Sequence, residues 1–176
     1  TIPAGATITN SGTANGFGGG LVLQMRYTVN STYSTTTGIA IPIDDSIPQQ
    51  TEGTDAAVDV AITPADASNI LVIHGIINAA HSASGDMNSA LFQDSTAGAL
   101  AAWKIESSNT VGNHVDSTQI FYVMVAGTTS ATTFKIRMGP PSGTGTLYIN
   151  GGQSSGRKFG GVARSILTVT ELSPNP

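Results

Sequence analysis

The sequence contains no cysteine, and this absence excludes several kinds of chemistry at once. Without thiols the chain has no disulfides, no thiolate metal ligands and no cysteine nucleophile. The sequence therefore does not show whether the protein works in an oxidising or a reducing compartment.

Charge is also scarce, because only 10% of the residues are charged, against about 25% in a typical soluble domain. Seven Lys and Arg residues stand against eleven Asp and Glu, so the net charge is -4. A nucleic-acid-binding protein needs a cationic stripe, which this composition excludes. No stretch approaches the roughly 20 apolar residues of a membrane-spanning helix, and the first residues lack the basic-then-apolar layout of a signal peptide. We therefore expect neither nucleic-acid binding nor membrane insertion.

Hydrophobic residues nevertheless make up 39% of the chain, so it is expected to fold. Its polarity comes from Thr, Ser, Asn and 21 glycines instead of charges. Thr and the β-branched aliphatics favour strands, whereas Gly, Asn and Ser favour the turns between them. A surface with so few charges loses little when another chain covers it. The composition predicts a β protein that works within an assembly.

Residues 1–20 differ from the rest because they are rich in glycine and lack an apolar run. We interpret them as an extended arm or linker that ends in a glycine hinge, with a frayed terminus as the alternative. Residues 21–176 then form one domain.

Alternating apolar residues predict strands, with one face of each in the core. The segment LVLQMRYTVN predicts a half-buried strand, and AVDVAITP, TTFKIRMG and SILTVTEL follow the same rule. The residues expected on the buried faces are Leu21, Leu23, Met25, Tyr27, Val29, Val58, Val60, Ile62, Phe134, Ile136 and Met138. Leu167 and Val169 are expected to share one face of the last strand, opposite Ile166.

Residues 70–77 are apolar on both faces, which is typical of a central strand or of one covered by another subunit. A hairpin is predicted around Gly98, with a helix over residues 87–104 as the alternative. Residues 151–161 are predicted to form a flexible loop. Eight to ten short strands between turns predict an antiparallel β-sandwich, in the form of a jelly roll.

Motifs that carry chemistry are absent. His74, His81 and His114 show no HxH or HExxH spacing, and adjacent Asp44 and Asp45 are typical of a turn. No GxSxG or phosphate-binding loop is present, and the single Trp103 is expected in the core. We predict no catalytic, cofactor or metal site and no enzyme. A carbohydrate-active hydrolase on a sandwich scaffold is the least favoured alternative.

Several segments of the chain, from Ile41 to Leu172, resemble a domain common at the C-terminal ends of bacteriophage tail-fibre proteins. The segment before Leu21 is similar to the stem that precedes such domains. The resemblance implies a virion component and a trimeric jelly roll of the tumour-necrosis-factor-like type, with no catalytic residues to transfer. The matching segments are IPIDDSIPQQTEGTD, ITPADASNILVIHGIIN, ALFQDSTAGALAA, VMVAGTTSATTFKIRMGP, INGGQSSGRKFGG and SILTVTEL.

We therefore expect a non-enzymatic phage structural protein on the virion surface, assembled in the cytoplasm of the infected host. The first hypothesis is a trimeric tail-fibre tip that contacts the host; the alternative is a capsid decoration protein that stabilises the head. Expected partners are two further copies, a tail or major capsid protein, and a host surface glycan or protein. The predicted trimer interface comprises Ile70, Val72, His74, Ile76, Tyr122 and Met124. The predicted contact loops carry Asp44, Asp45, Glu52, Asp86, Arg157 and Lys158.

Overall fold

A computed structural model describes residues 21–82, 85–107, 114–154 and 156–174. Within those ranges the regular structure consists of β-strands and one 3-10 turn at Phe159–Gly161, with no α-helix. The predicted arm at residues 1–20 lies outside the described residues. The strands are β1 (Val22–Asn30), β2 (Ser34–Thr37), β3 (Thr54–Asp55), β4 (Val60–Ile62), β5 (Ile70–His81), β6 (Gly85–Gln93), β7 (Ala101–Ser107), β8 (Asp116–Val125), β9 (Thr132–Gly139), β10 (Thr146–Ile149), β11 (Gly151–Gly152), β12 (Gly156–Arg157) and β13 (Ser165–Leu172).

The first sheet is organised around the long strand β5. Its residues 70–76 pair with β13 and its residues 70–79 pair with β8, so these two strands lie on opposite edges of β5. Beyond β13 comes β1, and β10 with β2 extends the sheet at the far end of β5. Every pairing is antiparallel. The four long strands therefore have the order β1-β13-β5-β8.

The second sheet is organised around β9. One edge of β9 pairs with β6, and β7 pairs with the far edge of β6. The other edge of β9 pairs with β4 near its start and with β3 near its end, so these two short strands together fill one position. The order of the second sheet is therefore β3/β4-β9-β6-β7.

The hydrophobic core lies between the two sheets, as strict alternation requires. Val58, Val60 and Ile62 are buried as predicted, and so are Phe134, Ile136 and Met138 of β9. In β13 the buried face is the one with Leu167 and Val169. The predicted all-β, antiparallel fold is confirmed, and the two facing sheets give it the form of a sandwich. The largest fully buried core side chains include Phe134, Leu71, Ile73, Ile77, Met87, Leu91, Ile120, Ile136, Met138 and Leu147.

Gly75 interrupts the inward apolar row of β5 for a steric reason. A Cβ atom at this position would lie 2.5 Å from Cδ1 of Ile136 on the opposite sheet. Heavy atoms do not pack that closely in folded proteins, so the glycine leaves the space that the isoleucine fills.

Side chains of β1 close the sandwich along one side. Gln24 Nε2, Thr28 Oγ1 and Asn30 Nδ2 donate hydrogen bonds of 2.7, 2.6 and 3.1 Å to backbone carbonyls in residues 56–63. These carbonyls would otherwise lie against the sheet without donors. The inward side of β1 is therefore polar.

A buried carboxylate, Glu171, fixes the end of β13. It accepts hydrogen bonds from Asn69 Nδ2 at 2.5 Å, from Ala65 N at 2.7 Å and from Gln24 Nε2 at 2.6 Å. Burial raises its pKa, but the donors around it, Asn69 foremost among them, lower it more, so the pKa lies below the ordinary value of 4.5.

Two local predictions have clear outcomes. The hairpin around Gly98 is confirmed, because β6 and β7 flank it, and the helical alternative for residues 87–104 is wrong. The Gly and Asp residues in that segment end the strands and form the connection. Residues 151–161 are more ordered than predicted, because β11 and β12 pair and a 3-10 turn follows them.

Candidate interaction surface

The first sheet has a face turned away from the core, which we call the outer face. Antiparallel register places its side chains in rows across β1, β13, β5 and β8. The rows are Val22, Leu172, Ile70 and Val125; Met25, Thr170, Val72 and Val123; Tyr27, Thr168, His74 and Phe121; and Val29, Ile166, Ile76 and Gln119.

The outer face is hydrophobic and open to solvent. Only Thr168, Thr170, His74 and Gln119 in these rows are not hydrophobic, and none of the rows holds a Lys, Arg, Asp or Glu. Exposure is greatest at the two edge strands, reaching 62% at Tyr27 and 61% at Phe121. Monomeric proteins rarely expose contiguous apolar patches of more than a few hundred Å², and larger patches mark interaction sites.

The exposure of β1 corrects one sequence prediction. Leu21, Leu23, Met25, Tyr27 and Val29 were predicted to face the core, and the structure exposes all of them. The reason is that the inward side of β1 meets backbone carbonyls, which need the polar side chains described above. The apolar set of this edge strand therefore points outward.

The predicted trimer-interface residues do not all share one face. The outer face carries Ile70, Val72, His74 and Ile76, whereas Tyr122 and Met124 pack against the core. The prediction that Tyr122 and Met124 share a face with the other four is therefore corrected. Because β8 is apolar on both sides, its sequence could not show which side faces inward. The pairing of β8 with β5 determines which side of β8 faces inward, because it puts residues 121, 123 and 125 on the outer face.

The three histidines occupy different settings. His74 is exposed on the outer face, and its ring meets the ring of Phe121 edge-on, with centroids 6.2 Å apart. His81 is buried, and its Nε2 lies 2.9 Å from the carbonyl oxygen of Thr144. His114 lies 2.8 Å from the carboxylate of Asp116. Within the described ranges, no group of three or more His, Asp or Glu side chains is arranged to hold a metal ion.

The outside of the second sheet is covered by residues 39–53. Ile41 from this segment is buried against Ala90 and Phe92 of β6. Asn88 Nδ2 donates a hydrogen bond of 2.6 Å to the carbonyl oxygen of Ile41, which fixes the segment to the sheet. Further along, Gln49 forms a β-bridge with Gly98.

One of the predicted contact residues, Asp44, lines a groove of about 200 Å³ between residues 41–48 and the β6–β7 pair. Hydrogen bonds from the hydroxyl and then the backbone N–H of Ser46 lower the pKa of Asp44. Lys104 also lines the groove and forms an ion pair of 2.9 Å with Asp86, a second predicted contact residue.

The other predicted contact residues have different surroundings. Asp45 is exposed, and Glu52 accepts a hydrogen bond of 2.8 Å from the backbone of Gln49. Arg157 lies on β12 and Lys158 directly after it, on a different element from the groove.

Trp103 packs against the core as predicted, although its position on β7 also puts it along one wall of the groove.

No family model matches the chain, and no curated protein matches it. In the described parts of the chain no helix is long and apolar enough to cross a membrane.

Proposed function

We propose that this chain is a non-enzymatic structural protein of a bacteriophage virion that assembles as a homotrimer through the outer face. The observation that carries the proposal is the continuous, uncharged apolar surface across β1, β13, β5 and β8. The segments that resemble tail-fibre domains add the virion setting.

We further propose that the sandwich is a jelly roll. With β3 and β4 counted as one strand, the eight principal strands in chain order form sheets 1-8-3-6 and 2-7-4-5. Consecutive strands are thus shared between the sheets in the way that two intertwined Greek keys require. The strand order supports the jelly roll independently of the sequence resemblance.

Further copies of the same chain are the partner that fits the outer face best. A partner that is recognised by charge would need complementary charges, and the rows of this face carry none. A half-exposed apolar side chain gains about 1 kcal/mol on burial, whereas association costs about 4–15 kcal/mol in lost freedom. A single contact between two copies that buries only part of the outer face therefore gives a marginally stable association. A closed ring, in which every copy makes two contacts, buries more of it.

Assembly is tested by the molar mass in solution, measured by sedimentation and by light scattering. The wild-type chain is expected to be a trimer. Tyr27→Asp and Val123→Asp each place a charge on the outer face and are expected to give monomers. Ala61→Asp places the same charge on an exposed position of β4 in the second sheet and is the matched control, expected to remain trimeric. A monomeric wild-type chain, or trimers of both face variants, would contradict the proposal.

The location on the virion is a separate part of the proposal. We place the trimer at a tail-fibre tip, where the loops with Asp44, Asp86 and Arg157 would contact the host. Three weak sites on one rigid head gain avidity without a strong single contact. The copy number per particle, measured by quantitative mass spectrometry against the major capsid protein, tests this. A few trimers per particle support the tail, whereas a number close to that of the capsid protein indicates a decoration protein on the head.

A further inference from the structure

His74 lies near the middle of the outer face, in the row formed by Tyr27, Thr168, His74 and Phe121. Its side chain is exposed in the single chain. It is the one residue of these rows that can gain a positive charge near neutral pH. Any partner that covers the face also covers this imidazole.

The groups that face His74 offer no counter-charge. Val72 and Ile76 flank it on β5, Thr168 lies beside it on β13, and Phe121 lies beside it on β8. Tyr27 on β1 completes the row.

The outward positions of β13 are Leu172, Thr170, Thr168 and Ile166. The same alternation, continued past the start of the strand, leads to Arg164, which is charged. It immediately precedes the strand, and its carbonyl oxygen accepts a hydrogen bond of 2.6 Å from Asn78. The outer face therefore holds nothing that would stabilise a buried imidazolium.

We infer that the outer face is a pH-sensitive interface, in which protonation of His74 separates the assembled chains. This inference rests on the proposed assembly through that face. In the free chain, water solvates both forms of the exposed imidazole. Where the outer faces of neighbouring copies meet, the charged form loses that water and the rows of this face offer it no carboxylate, so the neutral form is favoured. The assembled state then binds fewer protons than the free chains, and acid shifts the equilibrium toward the free chains.

The size of the effect between pH 7.5 and 5.0 is bounded by proton linkage. If the interface accepts only the neutral imidazole, each subunit gives up at most one proton on association, so acid weakens its association by at most about tenfold per pH unit. Three copies act together in a trimer, so its association constant is expected to fall by up to about 10³-fold per pH unit. The pKa of Glu171 lies below its ordinary value, so this carboxylate stays charged over the same interval.

The experiment is sedimentation of the full chain at pH 7.5, 6.0 and 5.0, at a concentration close to the midpoint of assembly at neutral pH. The wild-type chain is expected to be assembled at pH 7.5 and dissociated at pH 5.0. His74→Leu and the polar variant His74→Gln are expected to stay assembled at both values. His114→Gln removes an imidazole away from the outer face and is the matched control, expected to dissociate like the wild type. Circular dichroism at each pH verifies that the chains remain folded.

Each result has a distinct meaning. A wild-type chain that stays assembled at pH 5.0, or His74 variants that dissociate as it does, overturns the inference and leaves the proposed assembly intact. A wild-type chain that is monomeric at pH 7.5 overturns the proposed assembly, and the inference with it.

Discussion

The two sheets of this sandwich treat their outer faces in opposite ways. Residues 39–53 lie against part of the outside of the second sheet and bury Phe92 under Ile41, and Lys104 and Lys135 lie on the same face as Phe92. The first sheet leaves Met25, Tyr27 and Phe121 open. The chain thus buries apolar side chains on the outside of the second sheet and leaves those on the outside of the first sheet exposed. Such an exposed face is the surface that the proposed assembly would cover.

The largest effect is expected from one residue type placed in the core and on the outer face of the first sheet. Phe134→Ala removes a fully buried ring from the core and should reduce the free energy of unfolding by about 3–5 kcal/mol. Phe121→Ala removes a ring that is 61% exposed and should cost less than about 1 kcal/mol. Urea denaturation of both variants in the Tyr27→Asp background, where monomers are expected, separates stability from assembly. Equal losses would show that the outer face is part of the monomer's core.

The buried carboxylate gives the next largest effect. Glu171→Gln replaces one of the two acceptor oxygens with an NH₂ group. That group then meets either the donor Gln24 Nε2 or the donors Asn69 Nδ2 and Ala65 N, so we expect a loss of about 2–3 kcal/mol. Glu106→Gln, on an exposed position of β7, is the control and should change stability by less than about 0.5 kcal/mol.

The Glu171 carboxylate also predicts the pH dependence of stability. Its pKa is lower in the folded chain than the ordinary value of 4.5, so its contribution is full above that value and is lost as the pH falls below it. Unfolding curves at pH 7, 5, 4 and 3 should show this loss for the wild type. In the Glu171→Gln variant, the free energy of unfolding should fall less steeply with decreasing pH. A fall as steep as that of the wild type would contradict the attribution of this pH dependence to Glu171.

Removing the cover of the second sheet should make its outer face resemble that of the first. Ile41→Ala takes away the side chain that shields Phe92, with an expected loss of about 2–3 kcal/mol and stronger binding of a hydrophobic dye. Ile47→Ala, at a position that is 64% exposed in the same segment, should leave both quantities nearly unchanged. A dye response that is the same for both variants would mean that the segment shields nothing.

The smallest effect is expected at the ion pair between Lys104 and Asp86 on the covered side. Lys104 is 53% exposed, so the pair is solvated and Lys104→Ala should cost less than about 0.5 kcal/mol. The difference should vanish in 1 M salt, where such charges are screened. A loss above 1 kcal/mol that persists in salt would assign this pair a larger role than its exposure allows.

Sequence periodicity predicted the fold better than it predicted the surface. It identified which residues share a face in β9 and β13, and in β9 the other face carries Lys135 and Arg137, so the inward direction followed there. In β1 the alternation was recognised, but its direction was assigned wrongly. Alternation shows which residues lie together, whereas the direction depends on what packs beneath the strand. For β1 that is a row of carbonyls from residues 56–63, which lie 26 to 39 residues away in the sequence from the side chains that bind them.

The outer face could be predicted only in part for a related reason. Residues 70–77 are apolar on both sides, which correctly drew attention to β5. Its neighbours β13 and β8 are brought beside it by pairings over about 40 to 100 residues, and no local pattern specifies those registers. Tyr27 and Phe121 therefore became visible as neighbours of His74 only once the strands were paired.

The pairing of β1 with β13 also bears on when the chain can begin to associate. Val22 lies opposite Leu172, and Leu21 accepts a backbone hydrogen bond from Ser173. The first described strand, β1, can therefore complete its pairing only after the last strand, β13, has been synthesised. During synthesis the outer face does not exist until nearly the whole described chain has left the ribosome. Contacts over such sequence distances form slowly, and incomplete chains expose unpaired strand edges. A truncated nascent chain thus lacks the complete outer face, and under the proposed assembly it would not join the other copies.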